Sequence, residues 1–191
     1  MLPACTQPSS DPPQGQRAPA PAPPSPSDVA EAAFGKASNA AKGLGQQLKA
    51  ELQAAMASGG PKAALEVCAD RAQAITASAQ QAGVTVGRSS LRLRNPANRG
   101  PDWVRAWLEK TGERQASGLS PMRQLDSGHV RWLKPIAVEG VCVVCHGAPE
   151  QIHPDVQKLL AERYPEDRAT GYSPGQLRGV VWAEVALPKT P

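Results

Sequence analysis

The sequence predicts an α+β fold, a small antiparallel sheet preceded by helices. Three observations carry this. The first third of the ordered region has helical apolar spacing: Leu44, Leu48, Leu52 and Met56 recur at i+4 with alanines between them. The second half holds alternating, β-branched stretches over 130–138 and 177–187. Between them, Asp126-Ser127-Gly128 is a hairpin turn signal. Helices followed by strands, rather than a regular alternation of the two, indicate α+β and not a doubly wound sheet.

In chain order, residues 1–27 are rich in Pro, Ala, Ser and Gln, without apolar periodicity. Such a composition cannot bury enough surface to offset its ordering entropy, so it reads as a disordered, partly polyproline-II tether. Residues 28–191 are the domain. A helix starts near Asp28, with Ser27 as its expected N-cap. Gly59-Gly60-Pro61 ends it and starts a second, with Pro61 in the first turn. The second helix runs to about Gln81, and Gly83 stops it. Its stripe of Leu65, Cys68, Ala72 and Ile75 turns Cys68 inward. A strand is expected over 84–93, with Leu91 and Leu93 alternating against Arg92 and Arg94. Pro101 to Lys110 reads as a short helix with Trp103 and Trp107 on one face. Met122–Leu125 and Val130–Val138 are the hairpin strands, Pro154–Arg163 a helix, and Leu177–Leu187 the last strand.

The composition is poor in rings: one Phe, two Tyr and four Trp in 191 residues. A core built this way leans on Ala, Leu and Val, or on a group that is not protein. No apolar run approaches the ~18 residues that span a bilayer. The net charge of +4 is mild, and no aromatics interleave with the basic residues, so nucleic-acid binding is not expected.

The chemistry lies in the cysteines. Cys142-Val143-Val144-Cys145-His146 is C-x-x-C-H, the attachment signature of a c-type haem. Two thiols at this spacing reach two vinyl groups along one porphyrin edge, and the adjacent histidine gives its imidazole to the iron. A redox C-x-x-C wants a strand-to-helix context, and a zinc site wants a second ligand pair; Gly147-Ala148-Pro149 and the scattered Cys5 and Cys68 supply neither. A covalent haem would also supply the flat apolar body that the composition lacks. For the second axial position, the candidates from the residues are the inward Cys68 and Met122, the latter giving a higher potential. Met56 reads as packing, and His129 and His153 as surface residues.

Several stretches together resemble the family called domain of unknown function 3365. These are Val67-Cys68, then residues 87–98 (Gly-Arg-Ser-Ser-Leu-Arg-Leu-Arg-Asn-Pro-Ala-Asn), Cys142 to Gly147, Tyr164 to Tyr172, and Arg178-Gly179. The resemblance spans about residues 30 to 187. It implies a bacterial single-haem protein with a PAS-like fold, with His146 and Cys68 as the axial ligands. It also implies a role in redox sensing or electron transfer, and a place for Tyr172 beside the haem.

Arg88, Arg92, Arg94 and Arg99 fall within twelve residues without an acid between them. Some are expected to bind haem propionates, with Arg92 and Arg94 the named candidates. The expected function is therefore a redox or small-ligand sensor, or an electron carrier. Its partner would be a redox protein or a gaseous ligand. A peroxidase or reductase is the alternative, disfavoured because two strong axial ligands leave no open iron position, so no enzymatic role is expected. Thioether attachment places the protein in the periplasm. Leu2-Pro3-Ala4-Cys5 resembles a lipobox, so the expectation is a start upstream of Met1 and a lipid anchor on Cys5. Each cysteine then has its own task, and no disulfide is expected.

Overall fold

The computed structural model describes residues 24–126 and 128–188. The proposed lipidation site Cys5, and most of the tether, lie outside these residues.

The first helix, α1, spans Pro26–Glu66. Ser25, not Ser27, is its N-cap: the Ser25 hydroxyl accepts from the Asp28 amide, and the Asp28 carboxylate accepts in return from the Ser25 amide. Ser27 loses that position because Pro26, with no amide hydrogen to satisfy, fits the first helical residue. The expected break at Gly59-Gly60-Pro61 is a kink inside α1, where Gly60 takes φ of 67°. Glycine reaches this region without a Cβ penalty. Beyond the kink, Val67–Arg71 form a π-helical turn, followed by α2 over Ala72–Ser78.

Four strands follow: β1 (Val84–Ser89), β2 (Met122–Asp126), β3 (His129–Ala137) and β4 (Leu177–Ala186), with a helix, α3 (Asp102–Thr111), between β1 and β2. They form one antiparallel sheet in the order β1-β4-β3-β2. The hairpin falls where the turn signal put it. The strand expected over 84–93 stops at Ser89. From Ser90 the chain leaves the sheet because its polar groups find partners elsewhere: the Leu93 carbonyl accepts from the Arg168 amide, and the Ser90 hydroxyl donates to the Arg92 carbonyl. The alternation that opposed Arg92 and Arg94 to Leu91 and Leu93 therefore does not apply.

The sheet is covered on both faces. Ala33, Ala37, Ala41 and Leu44 of α1 pack on Val84, Val86, Val130, Trp132, Val181, Ala183 and Val185. The alanines allow the helix to lie close to the strands, which is how a ring-poor chain fills this layer. On the other face, Val104 and Leu108 of α3 meet Leu133, Val180 and Trp182, with Trp103, Trp107 and Met122 at the margin. Gly179 lies near the start of β4. A Cβ there would come within 2.2 Å of the Ser89 carbonyl oxygen, so the close approach of the two strands requires glycine. The chain beyond β3 carries two further short helices, α4 (Val143–His146) and α5 (Pro154–Arg163). These lie where β3 ends and β4 begins, and they build the site.

Candidate haem-attachment site

The C-x-x-C-H segment is helical. A 3-10 turn over Gly140–Cys142 runs into the single turn of α4, and Gly147 breaks it with extended ψ. A helical turn puts residues three apart on one side, so Cys142 and Cys145 share a side. Both are free and half-buried, as is Cys68. Thus no disulfide joins the three described cysteines. Cys142 packs with Val138, Ala169 and Tyr172. Cys145 packs with Leu65, Ile152, Val156, Leu160 and Tyr164. The motif thus sits between two apolar walls.

His146 is held by the loop that follows α5. Its Nδ1 lies 2.6 Å from the Ala169 carbonyl oxygen. A carbonyl only accepts, so Nδ1 carries the proton and Nε2 keeps its lone pair. This is the usual outer hydrogen bond of a metal-ligating imidazole. Burial, with the charges of Arg178 and Arg94, holds the imidazole well below the usual histidine range. The loop is tied to the motif by backbone bonds as well: Gly171 donates to Gly147, and Tyr172 to His146. The Tyr172 ring meets the His146 ring edge-on, centroids 6.3 Å apart.

Arg94 joins the pieces. It is 8% exposed. Its Nε donates to Asp167 Oδ2 at 2.9 Å, and its Nη2 donates to the Cys145 carbonyl at 2.5 Å and the Ala169 carbonyl at 3.4 Å. Asp167 in turn accepts from the Ala169 amide at 2.7 Å. One guanidinium therefore fixes both the motif and the carbonyl that orients His146. Arg92 stacks on Tyr172, its Cζ 3.8 Å from the ring centre, and donates to the Thr170 carbonyl. Its Nε is 3.1 Å from a Glu113 carboxylate oxygen, without hydrogen-bond alignment.

Cys68 lies in the π-helical turn, its neighbours tied outward by Asp70–Arg163 and Arg71–Glu51 ion pairs. Ala69, next to it in the chain, packs on the same cluster of Leu65, Ile152, Val156, Leu160 and Tyr164 as Cys145, which places this turn at the motif. Burial pushes the Cys68 thiol up, and Arg88, Arg94 and Arg178 oppose that. Next to it opens a cleft of about 380 Å³, lined by residues that include Ala69, Arg94 and Tyr164. Met122 is elsewhere: it packs at the edge of the α3 layer, with Leu133 opposite it in the β2–β3 ladder. The structure thus gathers Cys142, Cys145, His146, Cys68, Arg92, Arg94 and Tyr172, and leaves Met122 apart. Asp167, Ala169 and Arg178 are the site residues that periodicity and spacing did not single out. The carbonyl of Ala169 has no sequence signature. The paired carboxylate of Asp167 was visible only as part of the Tyr164 to Tyr172 stretch.

The donor set fits a haem. Two unoxidised thiols share one side of a turn, an imidazole presents a free Nε2, a third thiol is close by, and apolar side chains line both flanks. The fold and site together define an α+β domain built around a C-x-x-C-H motif whose donor set suits a haem. The chain belongs to the Tll0287-like family, whose model matches residues 25–186. Among solved structures it is similar in fold to the crystal structure of the cyanobacterial heme-protein Tll0287, with 23% identity, a TM-score of 0.53, and coverage of 88% of this chain and 99% of that one. Comparison with curated proteins finds no match.

Proposed function

We propose that this chain is an exported c-type haem protein that senses redox state or a small ligand. Haem binding is supported by its family and by the haem protein it resembles in fold. In the finer reading, Cys142 and Cys145 form the thioethers, His146 is one axial ligand and Cys68 the other. We also read the sheet between its helical layers as PAS-like, and Cys5 as the membrane anchor. The observation that carries the reading is the Nδ1 bond of His146 to Ala169 at 2.6 Å, beside two free thiols. It readies Nε2 for a metal at the one position where C-x-x-C-H requires it.

Sensing is favoured over simple electron transfer by the seat of Cys68. A π-helical turn is a wide, uncommon element that concentrates at functional sites, and here it packs chiefly on α1 and α2 rather than on the sheet. Electron transfer stays as the second reading, because Val141 beside Cys142 is 39% exposed and leaves the motif open to a docking protein. With Cys68 and His146 both ligating the resting iron, no position stands open to a substrate, and we assign no enzymatic activity.

The readings separate on reduction. When the reduced holoprotein is exposed to carbon monoxide, the sensing account expects displacement of Cys68 and a shifted Soret band. An unshifted band, with rapid electron exchange with a small cytochrome, assigns the protein to electron transfer instead.

A further inference from the structure

The site carries more positive charge than it balances. Four guanidiniums face it, and two have acid partners: Arg94 with Asp167 at 2.9 Å, and Arg92 with Glu113 at 3.1 Å. Arg88 and Arg178 have no carboxylate within ion-pair distance among the described residues, although both are at most half-exposed. Arg178 is fixed in place without being neutralised. Its Nη1 donates to Ser90 Oγ at 2.8 Å and to the Arg92 carbonyl at 3.3 Å, and its Cζ is 5.4 Å from the Tyr172 ring centre. The Arg88 guanidinium makes no hydrogen bond to any described residue. A guanidinium withdrawn from water without a counter-ion is costly, and burial pushes both below their ordinary value.

The two occupy the same end of the sheet on neighbouring strands. Arg88 is next to the last residue of β1, and Arg178 is the second residue of β4, which pairs with β1. Tyr172 links Arg178 to His146: Arg178 lies over its ring, and the His146 ring stands perpendicular to it. Arg88 lies two residues before Ser90, whose hydroxyl oxygen accepts from Arg178. Both unbalanced cations therefore stand at one end of the sheet, on neighbouring strands.

We propose that Arg88 and Arg178, rather than the already paired Arg92 and Arg94, are the seats of the two haem propionates, one carboxylate each. The proposal rests on the haem reading above. It follows from charge count and geometry: two unmatched, half-buried forks, and a ligand that brings two carboxylates, which such forks bind in bidentate fashion. Arg92 and Arg94 then act as structural clamps.

The test uses holoprotein carrying Arg88→Gln, Arg178→Gln or the corresponding Lys substitutions, with Met122→Leu as a control. The readouts are the propionate bending modes in resonance Raman spectra and the pH dependence of the midpoint potential between pH 5 and 8, a range set to bracket carboxyl and imidazole titration. Each Gln variant is expected to shift one propionate mode and to introduce a pH-dependent potential, as the released carboxylate takes up a proton. The Lys variants keep the charge and should keep the potential pH-independent, and they serve the same purpose if a Gln variant does not accumulate. Normal haem content with unmoved modes and an unmoved pH profile overturns the proposal. Axial-ligand bands that move in Arg88→Gln while the propionate modes stay fixed overturn it for Arg88, which then serves Cys68. A wild-type chain that takes up no haem instead overturns the underlying haem reading, a result distinct from either.

Discussion

Arg94→Ala should lower stability by about 3–5 kcal/mol, the usual cost of removing one member of a buried ion pair. For a domain of this size that corresponds to a fall of roughly 10 °C in the thermal midpoint. The reason is what the side chain leaves behind. Asp167 keeps its bond from the Ala169 amide but loses its counter-ion in a site where its side chain is 11% exposed. The Cys145 carbonyl loses its short charged donor. The loss also reaches the ligand, because Arg94 helps to hold the Ala169 carbonyl that orients His146. Haem incorporation should therefore fall with stability. Arg94→Lys should recover only part of either, since an ammonium cannot reach Asp167 and the two carbonyls as a planar fork does. Thermal melts with haem content per chain measure both effects. An Arg94→Ala protein with an unchanged midpoint would remove the clamp from this account.

The second large effect is expected in the iron's electronics, not in stability. Cys68→Ala deletes one sulfur from a partly exposed turn, so its stability cost should be about 1 kcal/mol or less. The ferric spectrum should nonetheless change from the thiolate-ligated form, and the midpoint potential should rise on the order of 100 mV, because axial ligands set haem potentials over a wide range. An anionic thiolate favours ferric iron, and its removal favours ferrous. Met122→Leu, a near volume-conserving change at the edge of the α3 layer, should move neither. If Met122→Leu shifts the potential and Cys68→Ala does not, the ligand assignment is reversed.

The parts of the fold that local pattern specifies were legible in the sequence. The kink at Gly60, the hairpin around Gly128 and the helix over Pro154–Arg163 each carry their own signal: a positive-φ glycine, a turn dipeptide, a proline at the first helical position. The π-helical turn carries none. Two of its residues make ion pairs to distant partners, Arg71 with Glu51 and Asp70 with Arg163, which leave no local trace. The same holds for Ser90 to Asn95, whose β-like alternation loses to hydrogen bonds with a loop more than 70 residues away. In the site, C-x-x-C-H announced itself by spacing, and Cys68 by its inward stripe. The Arg94–Asp167 pair and the Ala169 carbonyl did not, because a salt bridge across 73 positions and a backbone acceptor leave no periodic trace. Arg178 was visible only through the family resemblance. Its charge is unbalanced because Asp167, the acid of the site, is paired with Arg94.

The central claim is that this chain holds its haem covalently through Cys142 and Cys145. The direct measurement is the intact mass of the wild-type protein, made in a host that matures c-type haem and analysed under denaturing, reducing conditions. The account predicts a mass equal to the chain plus one haem, lost in Cys142→Ser/Cys145→Ser. A wild-type mass without haem, or a haem that extracts into acidified organic solvent, would contradict it.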